Sequence, residues 1–155
     1  MTVEELLARE AIRDTLARYN MAGDRLRVDD FVAVFTEDAV LESDVFRCDG
    51  RQAIHDWFSG FGRTPETRPD PPRPAPTLVR HHVSTCRIEL TDAGTAQVRT
   101  YWTVFSDIGP DHGGVYIDRL RKDGACWLIA HRRIRVDWKA PDSLFGGPAQ
   151  RADRR

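Results

Sequence analysis

The sequence predicts an α+β fold in which helices from the first half of the chain pack over one face of a strongly curved, mostly antiparallel sheet built from the second half. Three observations predict it. Apolar residues recur at helical spacing as far as Phe61, four long segments of β-type composition follow from Thr77, and six of the nine prolines crowd into residues 65–76 between them. At 155 residues the chain is one domain by size, long enough to bury roughly 70% of its unfolded surface.

Taken in order, Thr2 and Glu5 form a capping box, and Leu6, Ile12, Leu16 and Tyr19 then follow helical spacing to Gly23, which ends the first helix. Asp29 or Asp30 caps a short second helix carrying Phe31, Val32, Val34 and Phe35. Ala39 to Phe46 reads as a strand, Gly50 as a break, and Gln52 to Phe61 as a third helix with Ile54, Trp57, Phe58 and Phe61 on one face. The segment Pro65 to Pro76 is too rich in proline for helix or central strand and is a loop or flap. Strands are expected at Thr77–Leu90, Ala96–Asp107, Val115–Lys122 and Cys126–Trp138, joined by the hairpin links TDAG and RKDG and by a longer glycine-rich connection, IGPDHGG. The alternation of Val79, His81 and Val83 is out of step with Cys86, Ile88 and Leu90, which predicts a bulge between Val83 and Cys86. A long, curled sheet covered by one helical layer makes a cone with an interior able to hold an apolar ligand. Residues 1–140 are expected to form the domain and residues 141–155 a flexible tail.

Lys and Arg number 23 against 24 Asp and Glu, a net charge of −1, which removes the basic footprint of a nucleic-acid binder. The acidic, amphipathic start and the lack of a long apolar run point to a cytoplasmic protein with no membrane contact. Cys48, Cys86 and Cys126 are odd in number and far apart; they read as buried small hydrophobes in a reducing compartment rather than as a zinc site or disulfide framework.

The chemistry-bearing residues are Tyr19 and Asp24 at the end of the first helix and the pair His81-His82 in the first long strand. On residue chemistry alone Asp24 reads as part of the turn after the helix, where Asp bonds the local backbone. Alternation sends one histidine inward and the other to the opposite face, and a lone inward histidine is commonly a satisfied core residue. Asp118 beside Arg119, and Arg99 near Tyr101, read as sheet-surface or rim charges, and Arg132, Arg133 and Arg135 as a solvated or interface face. His55 and His112 receive no role, and His131 a structural one.

The order of elements resembles the SnoaL-like branch of the NTF2-like superfamily over roughly residues 5–138. It runs from Tyr-x4-Asp through FTEDA, Gly-Arg and a helix, then RHHVS, YWTVF and GGVYIDRL, to DGACWLIAHRRIRVDW. Scytalone dehydratase and the bile-acid 7α-dehydratases of that branch use a Tyr/Asp pair on the first helix and a strand histidine. The resemblance therefore implies catalytic roles for Tyr19 and Asp24, and for His81, chosen over His82 by counting back from Arg87-Ile88. Gly114 and Tyr116 stand where scytalone dehydratase has a Ser/Asn pair, which argues against scytalone itself as substrate.

An elimination of water would use these residues directly. The Asp24 carboxylate would fix the tautomer of His81, which moves the protons, and Tyr19 or Tyr116 would donate to an enolate-like oxygen; neither metal nor cofactor is required. Trp57, Phe61, Trp102 and His82 are the expected substrate-lining residues. Three classes remain open: a cofactor-free dehydratase of a hydrophobic polycyclic, aromatic or polyketide-like hydroxy substrate; a polyketide cyclase or ketosteroid-isomerase-like enzyme needing mainly the carboxylate; and a non-catalytic binding protein or dioxygenase small-subunit-like protein. A homo-oligomer, dimer or trimer, is expected through the sheet face turned away from the helices, where Tyr101 and Phe105 alternate with Trp102 and Val104, rimmed by Arg132 and Arg135.

Overall fold

The computed structural model describes residues 1–61 and 73–146 of the chain. Among these, helices α1 (Val3–Asp24), α2 (Val28–Val32) and α3 (Arg51–Ser59) lie against a sheet of β1 (Phe35–Glu42), β2 (Arg47–Asp49), β3 (Arg80–Leu90), β4 (Thr95–Ser106), β5 (Gly109–Asp123) and β6 (Cys126–Lys139). The strand order is β2-β1-β6-β5-β4-β3, antiparallel except where β1 runs parallel to β6. The part of the expected proline flap before Arg73 lies outside the described residues.

Helix α1 begins at the capping box, with the Thr2 hydroxyl accepting from Glu5 N at 3.1 Å and the Glu5 carboxylate accepting from Thr2 N at 2.9 Å. Leu6 in its first turn is exposed rather than packed, and burial starts at Ile12. Two bonds then fix it to the sheet. The Thr15 hydroxyl donates to the Trp127 carbonyl on β6 at 2.6 Å, and Arg9 Nη1 donates to the Ile88 carbonyl on β3 at 2.7 Å. Gly23 does not end the helix; the chain turns at Arg25–Leu26, where Leu26 adopts φ 51°. Strand β1 starts at Phe35, four residues before the expected position, and the chain folds back over residues 43–46 into β2. Gly50, at φ 89°, then caps α3.

From β3 onward the sheet is a four-stranded meander. The expected irregularity lies between Val83 and Cys86, and others fall at Val104/Phe105, Gly113/Gly114 and Arg119/Leu120. These bulges curl the strands over the helices. The segment IGPDHGG is not a long loop: only Asp107 and Ile108 turn, Gly109 takes φ 89°, and residues 109–114 pair with β4 as the start of β5. Pro110, which cannot donate, sits at the Val104/Phe105 register shift, where a strand tolerates proline. Residues beyond β6 are not all a free tail. Ser143 is buried, the Leu144 amide donates to Asp111, and the residues after 146 lie outside the described part.

The two faces of β4 separate cleanly. Ala96, Val98, Thr100, Trp102 and Val104 point to the helices and are buried, whereas Gln97, Arg99 and Tyr101 are exposed. Tyr101, Val83 and Trp138 are the large apolar residues exposed on the strands. Cys48 is buried as expected, but Cys86 is half-buried and Cys126, in the β5–β6 hairpin, is exposed.

The bulge at Gly113/Gly114 brings β6 so close that a Cβ on Gly114 would stand 1.9 Å from the Arg135 carbonyl oxygen. Gly114→Ala is therefore expected to cost about 3 kcal/mol or more of stability, because backbone must move. Gly109→Ala, with open space around it but a positive φ, should cost only about 1 kcal/mol. Denaturant midpoints of the two variants decide; equal losses would mean the strands can part at the bulge.

Candidate active site

Helices on one side and the concave sheet face on the other enclose a cavity of about 620 Å³, within the usual range of small-molecule sites. Asp24 reaches it from the last residue of α1 and His81 from the start of β3. His81 Nδ1 lies 2.6 Å from Asp24 Oδ1, and the His81 backbone amide donates to both carboxylate oxygens at 3.2 Å. Held at both oxygens, the carboxylate cannot swing away. The His81 ring is thereby fixed with Nδ1 toward Asp24, leaving Nε2 as its other nitrogen. Of the two side chains, His81 is 23% and Asp24 10% exposed, so the pair sits at a wall and not in the sealed core.

His82 does not line the cavity. Strand alternation turns it outward, where it is exposed and its ring packs 4.5 Å from that of Phe105. Trp57, Phe61 and Trp102 do line it, Trp57 stacked on Phe46 at 4.2 Å.

Tyr19 and Tyr116 meet edge to face at 5.8 Å beneath the pair, both buried and both lining the cavity. Between them lies the Arg132 guanidinium, 3.9 Å from the Tyr19 ring centre and 4.2 Å from that of Tyr116. Arg132 and Asp118 were expected at a surface and are instead fully buried, joined by two bonds of 2.8 and 2.7 Å across β5 and β6. Arg132 loses solvation, but Asp118 more than restores its preference for the charged form. Burial raises the Tyr19 phenol against the opposing charge of Arg132, and burial with Tyr19 alongside raises Tyr116 well above the ordinary range. Both phenols thus remain neutral donors. The sequence signal for the ion pair is parity: Arg132 shares the phase of Ile134 and Val136, and Asp118 that of Tyr116 and Leu120.

A second imidazole, which sequence reasoning left without a role, also lines the cavity. His112 Nδ1 lies 2.7 Å from Asp111 Oδ1, and the fully buried Asp111 carboxylate also accepts from Ser106 Oγ at 2.9 Å, the Leu144 amide at 3.0 Å, and the Ser143 hydroxyl. Burial alone would raise the Asp111 carboxyl, but these bonds, led by His112, hold it well below the usual carboxylate range. Burial lowers His112, outweighing the attraction of Asp111. Reading IGPDHGG as loop concealed both residues, because a loop histidine carries no inward phase. His131 bonds Glu42 at 2.9 Å and His55 bonds Asp56 at 3.2 Å, both outside the cavity. Among the described residues no group of three or more His, Cys, Asp or Glu is placed to hold a metal ion, and no helix is long and apolar enough to cross a membrane.

Two stability experiments follow from these burials. Arg132→Ala leaves Asp118 charged and alone, at an expected cost of about 3–5 kcal/mol, whereas the double change Asp118→Leu with Arg132→Met should cost much less. Urea unfolding of both variants measures the difference. For pH the signs agree. A His112 pKa below its unfolded value near 6.5 makes the unfolded chain bind that proton first, so stability falls as pH drops below about 6.5. The lowered Asp111 stabilises above about pH 4 and loses that contribution at lower pH. Melting temperatures from pH 8 to 4 should decline accordingly, and Asp111→Asn combined with His112→Phe should flatten the decline.

The fold accords with comparisons to known proteins. A candidate scytalone dehydratase of Novosphingobium aromaticivorans superposes with TM-score 0.80 at 20% identity, covering 100% of this chain and 99% of that one. The beta subunit of a candidate aromatic-ring-hydroxylating dioxygenase of the same organism gives 0.70 at 19%, covering 93% and 98%. The hexachlorocyclohexane dehydrochlorinase LinA-type3 of Novosphingobium barchaimii gives 0.71 at 14%, covering 94% and 99%. Such identities establish the shared fold alone. A search of curated proteins returned no match. The SnoaL-like domain model matches residues 4–133, from the start of α1 to the middle of β6; the chain belongs to the SnoaL-like family, with the NTF2-like fold of helices on a curved sheet.

Proposed function

We propose that this protein is a cofactor-free hydro-lyase that eliminates water from a hydrophobic cyclic hydroxy ketone. The observation that carries the reading is the Asp24–His81 contact of 2.6 Å at the wall of an aromatic-lined cavity. In the proposed sequence His81 Nε2 removes a proton from the carbon beside the substrate carbonyl, and Asp24 stabilises the imidazolium so formed. The electron pair moves onto the carbonyl oxygen, which a neutral phenol, Tyr19 or Tyr116, supports by a hydrogen bond. As the carbonyl re-forms, the β-hydroxyl departs with the proton held on His81, giving water and a carbon–carbon double bond, and His81 returns to its neutral form. The likeness of fold to a candidate scytalone dehydratase and to a dehydrochlorinase supports elimination as a chemistry this architecture accommodates.

With the Asp24 carboxylate as base, the same cavity could shift a double bond without loss of water, a reaction that needs that carboxylate and a donor but no leaving-group acid. Turnover of a panel of hydroxylated bicyclic and steroid-like ketones, followed by product mass, separates the two. Asp24→Asn and His81→Ala are each expected to lower the rate about 10²–10⁴-fold with melting temperature little changed. A His81→Ala variant at near-normal rate beside a dead Asp24→Asn would replace elimination by isomerisation or cyclisation.

A further inference from the structure

We propose that His112, held by Asp111, is a second polar anchor of the cavity that recognises a hydroxyl group of the ligand at a point distinct from the Asp24–His81 pair. The inference rests on the cavity being the ligand site and not on the reaction assigned to it. The geometry begins at Asp111, which is fully buried and takes four hydrogen bonds, from His112, Ser106, Ser143 and the Leu144 amide. A carboxylate so surrounded remains an acceptor, so His112 Nδ1 must be the donor, and the neutral ring then carries its lone pair on Nε2. Burial disfavours protonation of that ring, and Asp111 opposes this only in part. With Nδ1 taken by Asp111, Nε2 is the nitrogen of this cavity-lining ring left to accept from a ligand.

Trp102 supplies the matching donor. Its ring stands 5.5 Å from His112 and 6.2 Å from His81, it lines the same cavity, and it is 4% exposed. Among the described residues its buried Nε1 has no hydrogen-bond partner. Unpaired buried donors are costly. A ligand hydroxyl oxygen that donates to His112 Nε2 and accepts from Trp102 Nε1 would satisfy both, which a ketone or ether oxygen, lacking the proton, would not. Phe145, 4.9 Å from the His112 ring, closes the wall beside this point, and residues 143–145 are seated by the same Asp111 carboxylate. The class of ligand that fits is a flat apolar body with a hydroxyl, phenolic or alcoholic, separate from the group that reacts at His81.

The test uses 2-naphthol and 2-methoxynaphthalene, which differ in the hydroxyl proton and a methyl group, titrated calorimetrically into the full chain. Wild type is expected to bind the naphthol about two- to tenfold more tightly, the range of one hydrogen bond. His112→Phe keeps an aromatic ring against Trp102 and Phe145 and should abolish the preference. In the wild-type protein labelled with ¹⁵N-histidine, the Nε2 resonance of His112 should move with 2-naphthol and stay in place with the methyl ether. A preference retained in His112→Phe, a shift confined to His81, or no binding of either compound overturns the proposal. Absence of turnover on every ketone of the panel, with the naphthol preference intact, would end the hydro-lyase reading and leave this one standing.

Discussion

The buried contact of Arg132 with Asp118, clasped between two tyrosine rings, is the constraint on which the rest of the molecule depends. It joins α1, through Tyr19, to neighbouring residues of β5 and β6, and it does so at the floor of the cavity. Two charges withdrawn from water are costly, and their attraction offsets that cost only when geometry and hydrogen bonding are good. A pair of this kind tolerates one arrangement. Sliding β6 against β5 would separate the charges, and rotating α1 would uncover the guanidinium, so helix and sheet have one relative position that satisfies both. The helix end that carries Asp24 is placed by that requirement, and so is the distance across which it meets β3.

Above this floor, the cavity exists because one helical layer cannot follow a sheet that curls. The register shifts in β3, β4 and β5 bend the strands, while the helices stay straight. Glycine at the Gly113/Gly114 bulge lets β6 approach where any side chain would collide. Aromatic residues of α2 and α3, chiefly Phe31, Phe58 and Trp57, fill the flanks without closing the centre. Asp24 enters at the end of α1, His81 near the start of β3 and Lys139 at the end of β6.

The parts legible in the sequence were those with a local physical cause. The capping box fixed the start of α1, the broken alternation located the β3 bulge, and the fold class followed from helical and β patterns lying in separate halves of the chain. The inward phase of His81 against the outward phase of His82 depended on counting from Arg87-Ile88, and the coordinates place His81 against Asp24. What escaped was set by pairing across distance. Arg132 looked like a surface charge because arginine usually is one, and only the matching phase of Asp118 on the adjacent strand could have paired it. Asp111 and His112 were hidden by a glycine- and proline-rich run that continues as strand because a register shift accommodates its proline. The start of β1 was misplaced for a related reason: Phe35 and Thr36 pack as strand beside β6, a parallel partner nearly a hundred residues away in sequence.

The Asp111 carboxylate has a consequence for how such a protein can diversify. It binds the ring of His112 on one side and the segment Ser143–Leu144 on the other, so the wall beside the second imidazole is built by residues that follow the last strand. Leu144 and Phe145 can change in size with no strand altering register and without touching Asp24 or His81. The shape of the chamber in this protein can thus vary at that wall independently of the Asp24–His81 contact, through a short stretch of sequence outside the sheet.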